Sequence, residues 1–286
     1  MIDLPHPLTR QLFPSPVPPG SGWPGDPAKP SSPRAADADD VRRLAGAASS
    51  LDELAAAISV CRACPRLVDW RETVAVAKRK SFSDQPYWGR PIMGWGSGTP
   101  AVLIVGLAPA AHGGNRTGRI FTGDRSGDWL FGSLHRTGLA AQPTSEHAGD
   151  VQALIGARLV AAVRCAPPDN KPTPPERDTC APWLDAELSR VLSSVRVIVC
   201  LGSYGWDSLL RALARLGLEV PRPRPRFGHG AQFSASRQGE PDLAVLGCFH
   251  PSQQNTFTGR LTEPMLDAVL GEAARLSRDD GPDSLL

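Results

Sequence analysis

The stretch Ala101-Val-Leu-Ile-Val-Gly-Leu-Ala-Pro-Ala-Ala-His-Gly-Gly-Asn-Arg-Thr-Gly-Arg-Ile-Phe-Thr-Gly-Asp124 decides the fold. Its first five residues are apolar without alternation, as in a strand covered on both faces. The run breaks into a glycine-dense loop, where backbone can approach a ligand and turn amides toward it. Three more runs share this grammar, at residues 159–163, 195–201 and 243–249. Helical patterns follow the four runs at 128–137, 176–192, 204–216 and 263–276. Thr262 is the expected N-cap of the last, with Pro264 in its first turn. The pattern predicts an α/β fold: a small central parallel sheet of about four strands with helices on both faces. Ligands of such sheets gather at the carboxyl ends of the strands. Attention therefore goes to the loops at 106–124, 165–179, 202–203 and 250–260.

The chain has 286 residues, 41% hydrophobic, enough for a core. Its net charge of +2 gives no global field, so a nucleic-acid site must be a local patch. No basic-then-apolar leader opens the chain, and no run reaches the roughly 20 apolar residues of a membrane span. The expectation is a cytoplasmic protein with reduced thiols and no membrane contact. Ten of the 29 prolines precede Arg34, so residues 1–40 are read as a disordered tail or, through Leu12, Phe13 and Trp23, as a segment lying extended over the domain. Residues 41–277 are expected to form a single α/β domain and 278–286 a polar tail.

Six cysteines in such a compartment call for a metal or core explanation. Cys61-Arg-Ala-Cys64 follows a helical pattern at 51–60, Cys165 ends the second strand, and Cys180 opens the next helix. Four thiolates suit an iron–sulfur cluster or zinc, and spacing alone leaves both open, as well as no metal. Cys200 and Cys248 lie inside apolar runs and read as core. The 106–124 loop lacks the Gly-Lys-Ser/Thr of a P-loop. His112-Gly-Gly is similar to an esterase oxyanion loop, but Gly202-Ser203-Tyr204-Gly205 has the wrong spacing for a nucleophile elbow.

Gly106-Leu-Ala-Pro-Ala110, His250-Pro-Ser252 and the four cysteines together resemble the uracil-DNA glycosylase superfamily. The longer strings GLAPAAHGGNRTGRIFTGD, VRCAPPDNKPTPPE and HPSQQNTFTGRLTEPMLDAVL resemble its family five, the UDGb type. The resemblance implies a [4Fe–4S] cluster on Cys61, Cys64, Cys165 and Cys180, structural in role. It implies a monofunctional DNA-repair enzyme that leaves abasic sites, acting on double- and single-stranded DNA carrying uracil, hypoxanthine, xanthine or related bases. A monomer associated with the nucleoid is expected.

Other branches of the superfamily place a carboxylate or amide beside the reacting sugar, where this chain has Leu107 and Ala108. The resemblance therefore gives Asp124 the role of orienting or activating water; as a sequence feature it also reads as a helix N-cap. Ala161 stands where related branches read uracil with asparagine, which passes that role to Asn170, otherwise a turn residue. Phe121 is expected to stack on the flipped base, with Gly106, Leu107, Ala108 and Ala161 lining its pocket; the alternative for Phe121 is core. His250 is expected to stabilise the departing base anion or, alternatively, to be a capped loop residue. Gly113, Gly114, Asn115, Arg116, Thr117 and Arg260 are expected to grip phosphates. The loop Gln253–Thr258, with Gln253, Gln254, Asn255, Thr256 and Phe257, is expected to fill the vacated stack and hold the complementary strand, and Ser252 to contact DNA. Arg222, Arg224 and Arg226 add charge or form a solvated linker. Two rivals stand: a non-catalytic iron–sulfur nucleic-acid-binding module on the same fold, and an α/β hydrolase using His112 or His250.

Overall fold

The structure, a computed structural model, describes residues 2–236, 239 and 242–278. Apart from Arg278, the expected polar tail lies outside them.

The chain opens with a small hairpin, β1 (Leu4–Pro5) and β2 (Leu12–Phe13), then α1 (Ala38–Ala47), α2 (Leu51–Ser59) and α3 (Pro65–Ala77). A second sheet is built from β3 (Trp95–Gly96), β4 (Val102–Gly106), β5 (Ala157–Ala161), β6 (Val197–Leu201), β7 (Gln232–Ala235) and β8 (Leu243–Cys248). Between its strands lie α4 (Gly114–Thr117), α5 (Arg125–Arg136), α6 (Pro174–Val191) and α7 (Ser203–Arg215); α8 (Gln253–Phe257) and α9 (Glu263–Leu276) close the chain.

The strand order is β3-β5-β4-β6-β8-β7. The inner four are parallel and are the four runs expected from sequence. The sheet has six strands, however, and is mixed, because β3 and β7 add antiparallel edges. Each inner strand is buried on both faces, so alternate residues feed different cores. Val102, Ile104, Leu159 and Val199 face α5 and α9; Leu103, Val105, Val160 and Ile198 face α6 and α7. Cys200 and Cys248 are fully buried, as expected of core cysteines. The chain steps from β4 to β5 on one side and returns across β4 to β6, which makes the carboxyl end of β4 the crevice of the sheet.

The proline-rich segment lies extended on the domain. Phe13, Val17 and Trp23 are buried in the same core as Trp88, Ile92 and Phe121. Asp26 forms a buried pair with Arg90 at 2.8 Å, and Arg90 donates on to the Ser59 carbonyl at 3.0 Å. Proline forbids helix here but not burial: an extended segment can insert apolar side chains one by one. Among the described residues no helix is long and apolar enough to cross a membrane.

Candidate active site

Asp124 ends the long loop after β4 and is the N-cap of α5. Its backbone is extended, and its Oδ1 accepts the Gly127 amide at 2.9 Å. The other oxygen lies against Gly113, where a β-carbon would come 1.9 Å from Oδ2. Glycine at 113 is thus what leaves room for the carboxylate. Burial pushes the Asp124 carboxyl above the usual carboxylate range, while the Gly127 and Ser126 amides pull the other way. The capping carboxylate stands in the loop that leaves the carboxyl end of β4.

Phe121 sits three residues earlier with φ +50°, a left-handed conformation costly for a bulky residue. Its ring rests on Gly106, where a β-carbon would come within 2.9 Å of it, and its carbonyl approaches Gly127 so closely that only glycine fits there. The ring lies 5.7 Å from that of His250, the planes tilted by 34°. Loops from β4 and β8 therefore meet as two rings at the end of the sheet.

Burial brings the His250 imidazole down to about 4, so the ring is neutral at neutral pH. Asn255 Nδ2 donates to the His250 carbonyl at 2.8 Å, and Ser252 caps α8 by accepting the Asn255 amide. This braces the backbone of His250. Among the described residues no group hydrogen-bonds either ring nitrogen, so the ring is free to face a ligand. Gln253, Gln254, Phe257 and Arg260 are exposed on this loop. Phe257, 68% exposed, lies under the Arg125 guanidinium at 5.1 Å, beside the start of α5.

Several expected contacts are corrected. Gly113, Gly114, Asn115, Arg116 and Thr117 are buried and present no phosphate grip. Asn115 Nδ2 donates to the Arg71 carbonyl at 3.1 Å. Arg116 donates to the His112 carbonyl, Gln85 and the Gly123 carbonyl, and stacks on Phe82. Thr117 Oγ1 donates within the loop, to the carbonyls of Arg119 and Thr122. These side chains hold the loop's shape. Ala161 is a core residue opposite Gly106 in the sheet, and half-buried Ala108 packs toward the cysteines. Leu107 is half-buried, its carbonyl accepting the Val163 amide at 2.9 Å. Asn170 is exposed at φ +55°, in a 3₁₀ turn behind Asp169, also left-handed, as the turn reading has it. Asn255 and Thr256 are half-buried and bond inside their own loop. Sequence reasoning missed Arg71, Gly113 as the seat of the carboxylate, and the Tyr87 hydroxyl, which lies 3.1 Å from His112 Nδ1.

Cys61, Cys64, Cys165 and Cys180 line one small cavity of about 20 Å³, with Leu67, Val163 and Trp183 among its walls. α3 begins at Pro65 directly after the C-x-x-C pair, and a Thr173–Glu176 capping box fixes the start of α6 near Cys180. Arg71 Nη1 donates to Cys165 Sγ at 3.0 Å and Nη2 to the Cys61 carbonyl at 3.1 Å, while the Arg164 amide donates to Cys180 Sγ at 3.4 Å. The buried Trp183 indole N–H makes no well-formed hydrogen bond but lies near enough to the Cys61 thiol to hold its pKa down against burial. Burial pushes all three of the Cys61, Cys64 and Cys180 thiols up, Cys64 to about 12. The described residues contain no group of three or more His, Cys, Asp or Glu converging as for one metal ion.

The pattern of the uracil DNA glycosylase superfamily matches residues 93–274 of this chain. A Mycobacterium bovis protein named type-5 uracil-DNA glycosylase is 58% identical over 272 residues, which cover 95% of this chain and 98% of that protein. Proteins of the same name from Thermus thermophilus and Pyrobaculum aerophilum are 47% and 41% identical, over 77% and 75% of this chain and 95% and 88% of their own. With its sheet, its two ring-bearing loops and relatives matched along most of its length, the chain belongs to the uracil-DNA glycosylase superfamily.

Proposed function

We propose that the protein excises uracil from DNA by hydrolysing the N-glycosidic bond, and that it also accepts hypoxanthine, xanthine or related bases. One observation carries the reading: the loop after β4 brings Phe121 against His250 and ends in an N-capping Asp124 whose second oxygen is not engaged in the cap. A base inside a duplex is out of reach, so the nucleotide rotates out toward these rings. As the bond breaks, charge grows on the base; neutral His250 donates a hydrogen bond to it, an interaction worth about 3 kcal/mol in such sites. Asp124 accepts a proton from, or orients, the water that attacks the sugar. Phe257 and its neighbours occupy the vacated stack, and Arg260 meets phosphate. The reading is of a monofunctional enzyme that leaves an abasic site.

Cys61, Cys64, Cys165 and Cys180 are proposed to hold the [4Fe–4S] cluster. The fit is good: four thiols around one cavity, a guanidinium donating to one sulfur, an amide to another and an indole N–H beside a third. Zinc would draw four sulfurs to about 2.3 Å from one point; the four thiols around one cavity serve either centre, and the family resemblance favours the cluster. Bound there, the cluster would cross-link α3, β5 and α6.

Incubation with uracil-containing duplex, followed by alkali, tests the activity. Strand breaks only after alkali are expected. No abasic sites would favour the non-catalytic binding module, and breaks without alkali would end the monofunctional reading. Iron, sulfide and zinc analysis of the same sample, with its visible absorbance, tests the cluster; a colourless zinc protein would overturn it.

A further inference from the structure

The run Arg222-Pro-Arg-Pro-Arg226 takes no part in the Asp124–His250 site, yet it is fastened to it. Trp206 Nε1 donates to the Pro225 carbonyl at 3.0 Å, which pins the run to α7. Phe227 then packs 6.0 Å from Trp206 and 6.2 Å from Phe249. His229 Nδ1 accepts the Phe249 amide at 3.2 Å, with the two rings 5.1 Å apart. Phe249 is the residue before His250, and the Arg260 guanidinium lies 4.6 Å from its ring. The arginine run and the mouth of the site therefore share one aromatic residue.

All three arginines are exposed. Arg224 leans on Asp207 at 3.5 Å, a weak surface pair. Arg222 and Arg226 have no carboxylate partner among the described residues. In a chain of net charge +2, unpaired guanidinium groups beside the mouth make a local positive ridge. The intervening prolines restrict the backbone, so holding these charges against a ligand costs little conformational entropy.

We propose that Arg222 and Arg226 form a second DNA contact, binding backbone phosphates that flank the flipped nucleotide, outside the reach of the 250–260 loop. The proposal rests on the glycosylase reading of the adjacent site, but its test does not require turnover. Binding of the full chain to a long uracil-free duplex is measured across a salt series, for the wild type and for the Arg222→Gln/Arg226→Gln double variant. The slope of log affinity against log salt should become shallower by about 1.8, two phosphate contacts at roughly 0.9 each. An Arg222→Lys/Arg226→Lys variant should keep the wild-type slope. On a uracil-bearing single strand of a few nucleotides, too short to reach the ridge, kcat and KM should be unchanged. An unchanged slope on the duplex, or equal losses on long and short DNA, would overturn the ridge. Absence of abasic sites with the wild type would instead overturn the glycosylase reading and leave the slope comparison to decide the ridge.

Discussion

Asp124 uses its two oxygens differently, and substitutions can separate them. Asn caps a helix about as well as Asp, whereas Ala costs about 1 kcal/mol. Asp124→Asn should therefore keep thermal stability near wild type and lower turnover by about 10²-fold or more. Asp124→Ala should lose both. Single-turnover rates beside melting curves check this; wild-type turnover in Asp124→Asn would remove the carboxylate from the chemistry. Gly113→Ala should mimic the loss, since its β-carbon would occupy the place of Oδ2. The sign of the pH response follows from the same burial. The carboxylate is the working form and its titration is displaced upward, so activity should fall as pH drops through a value above the ordinary aspartate range. His250 is already neutral above about 4 and should add no inflection near neutrality. His250→Gln should slow turnover by about 10²–10³-fold.

At the scale of elements, α8 presents Phe257 to solvent while Asn255 and Ser252 fix its root. Phe257→Ala should weaken duplex substrates more than single strands, with stability within about 0.5 kcal/mol of wild type. Equal loss on both substrates, read from KM, would count against a wedge. The legibility of these elements in the sequence follows from their lengths. Apolar runs, broken only by Arg196, betrayed the four inner strands, as burial on both faces requires of a parallel sheet. Trp95–Gly96 and Gln232–Ala235 are too short to stand out, so the edges of the sheet were not foreseen. α3 was hidden because Pro65 follows the C-x-x-C pair and looks like the end of order rather than the first residue of a helix. Asn115 and Arg116 misled in the opposite sense. Polar side chains in a glycine-rich loop resemble ligand contacts, and only three dimensions reveal that the Arg71 and Gly123 carbonyls use them. The positions of Asp124 and His250 were legible because one closes the loop that follows β4 and the other opens the loop that follows β8.

Over the whole molecule, acid should act through histidines that the fold keeps uncharged. His6 and His147 are buried with rings 4.3 Å apart; burial lowers both, and Arg116 and Arg119 add to the effect on His147, which falls to about 3. An unfolded histidine titrates near 6.5. Below that pH the unfolded chain takes up protons that the folded chain refuses, so stability declines as pH falls from 6.5 toward 3. The slope approaches about 1.4 kcal/mol per pH unit for each fully suppressed histidine. Asp124, displaced upward, works in the opposite direction. Urea midpoints at pH 7.5, 5.5 and 4.5 check the balance, and His147→Phe should flatten the decline.

The packing of Trp23 bears on how the protein can be cut. Its indole nitrogen would come 2.6 Å from a β-carbon at Gly118, inside the loop that carries Phe121 and Asp124. A shortened gene product starting near residue 93 would retain every strand of the large sheet, yet it would lack this wedge and both Cys61 and Cys64. Such a fragment should bare Trp88's former neighbours to water and come out of cells as insoluble material, so the smallest unit worth expressing begins close to the first residue.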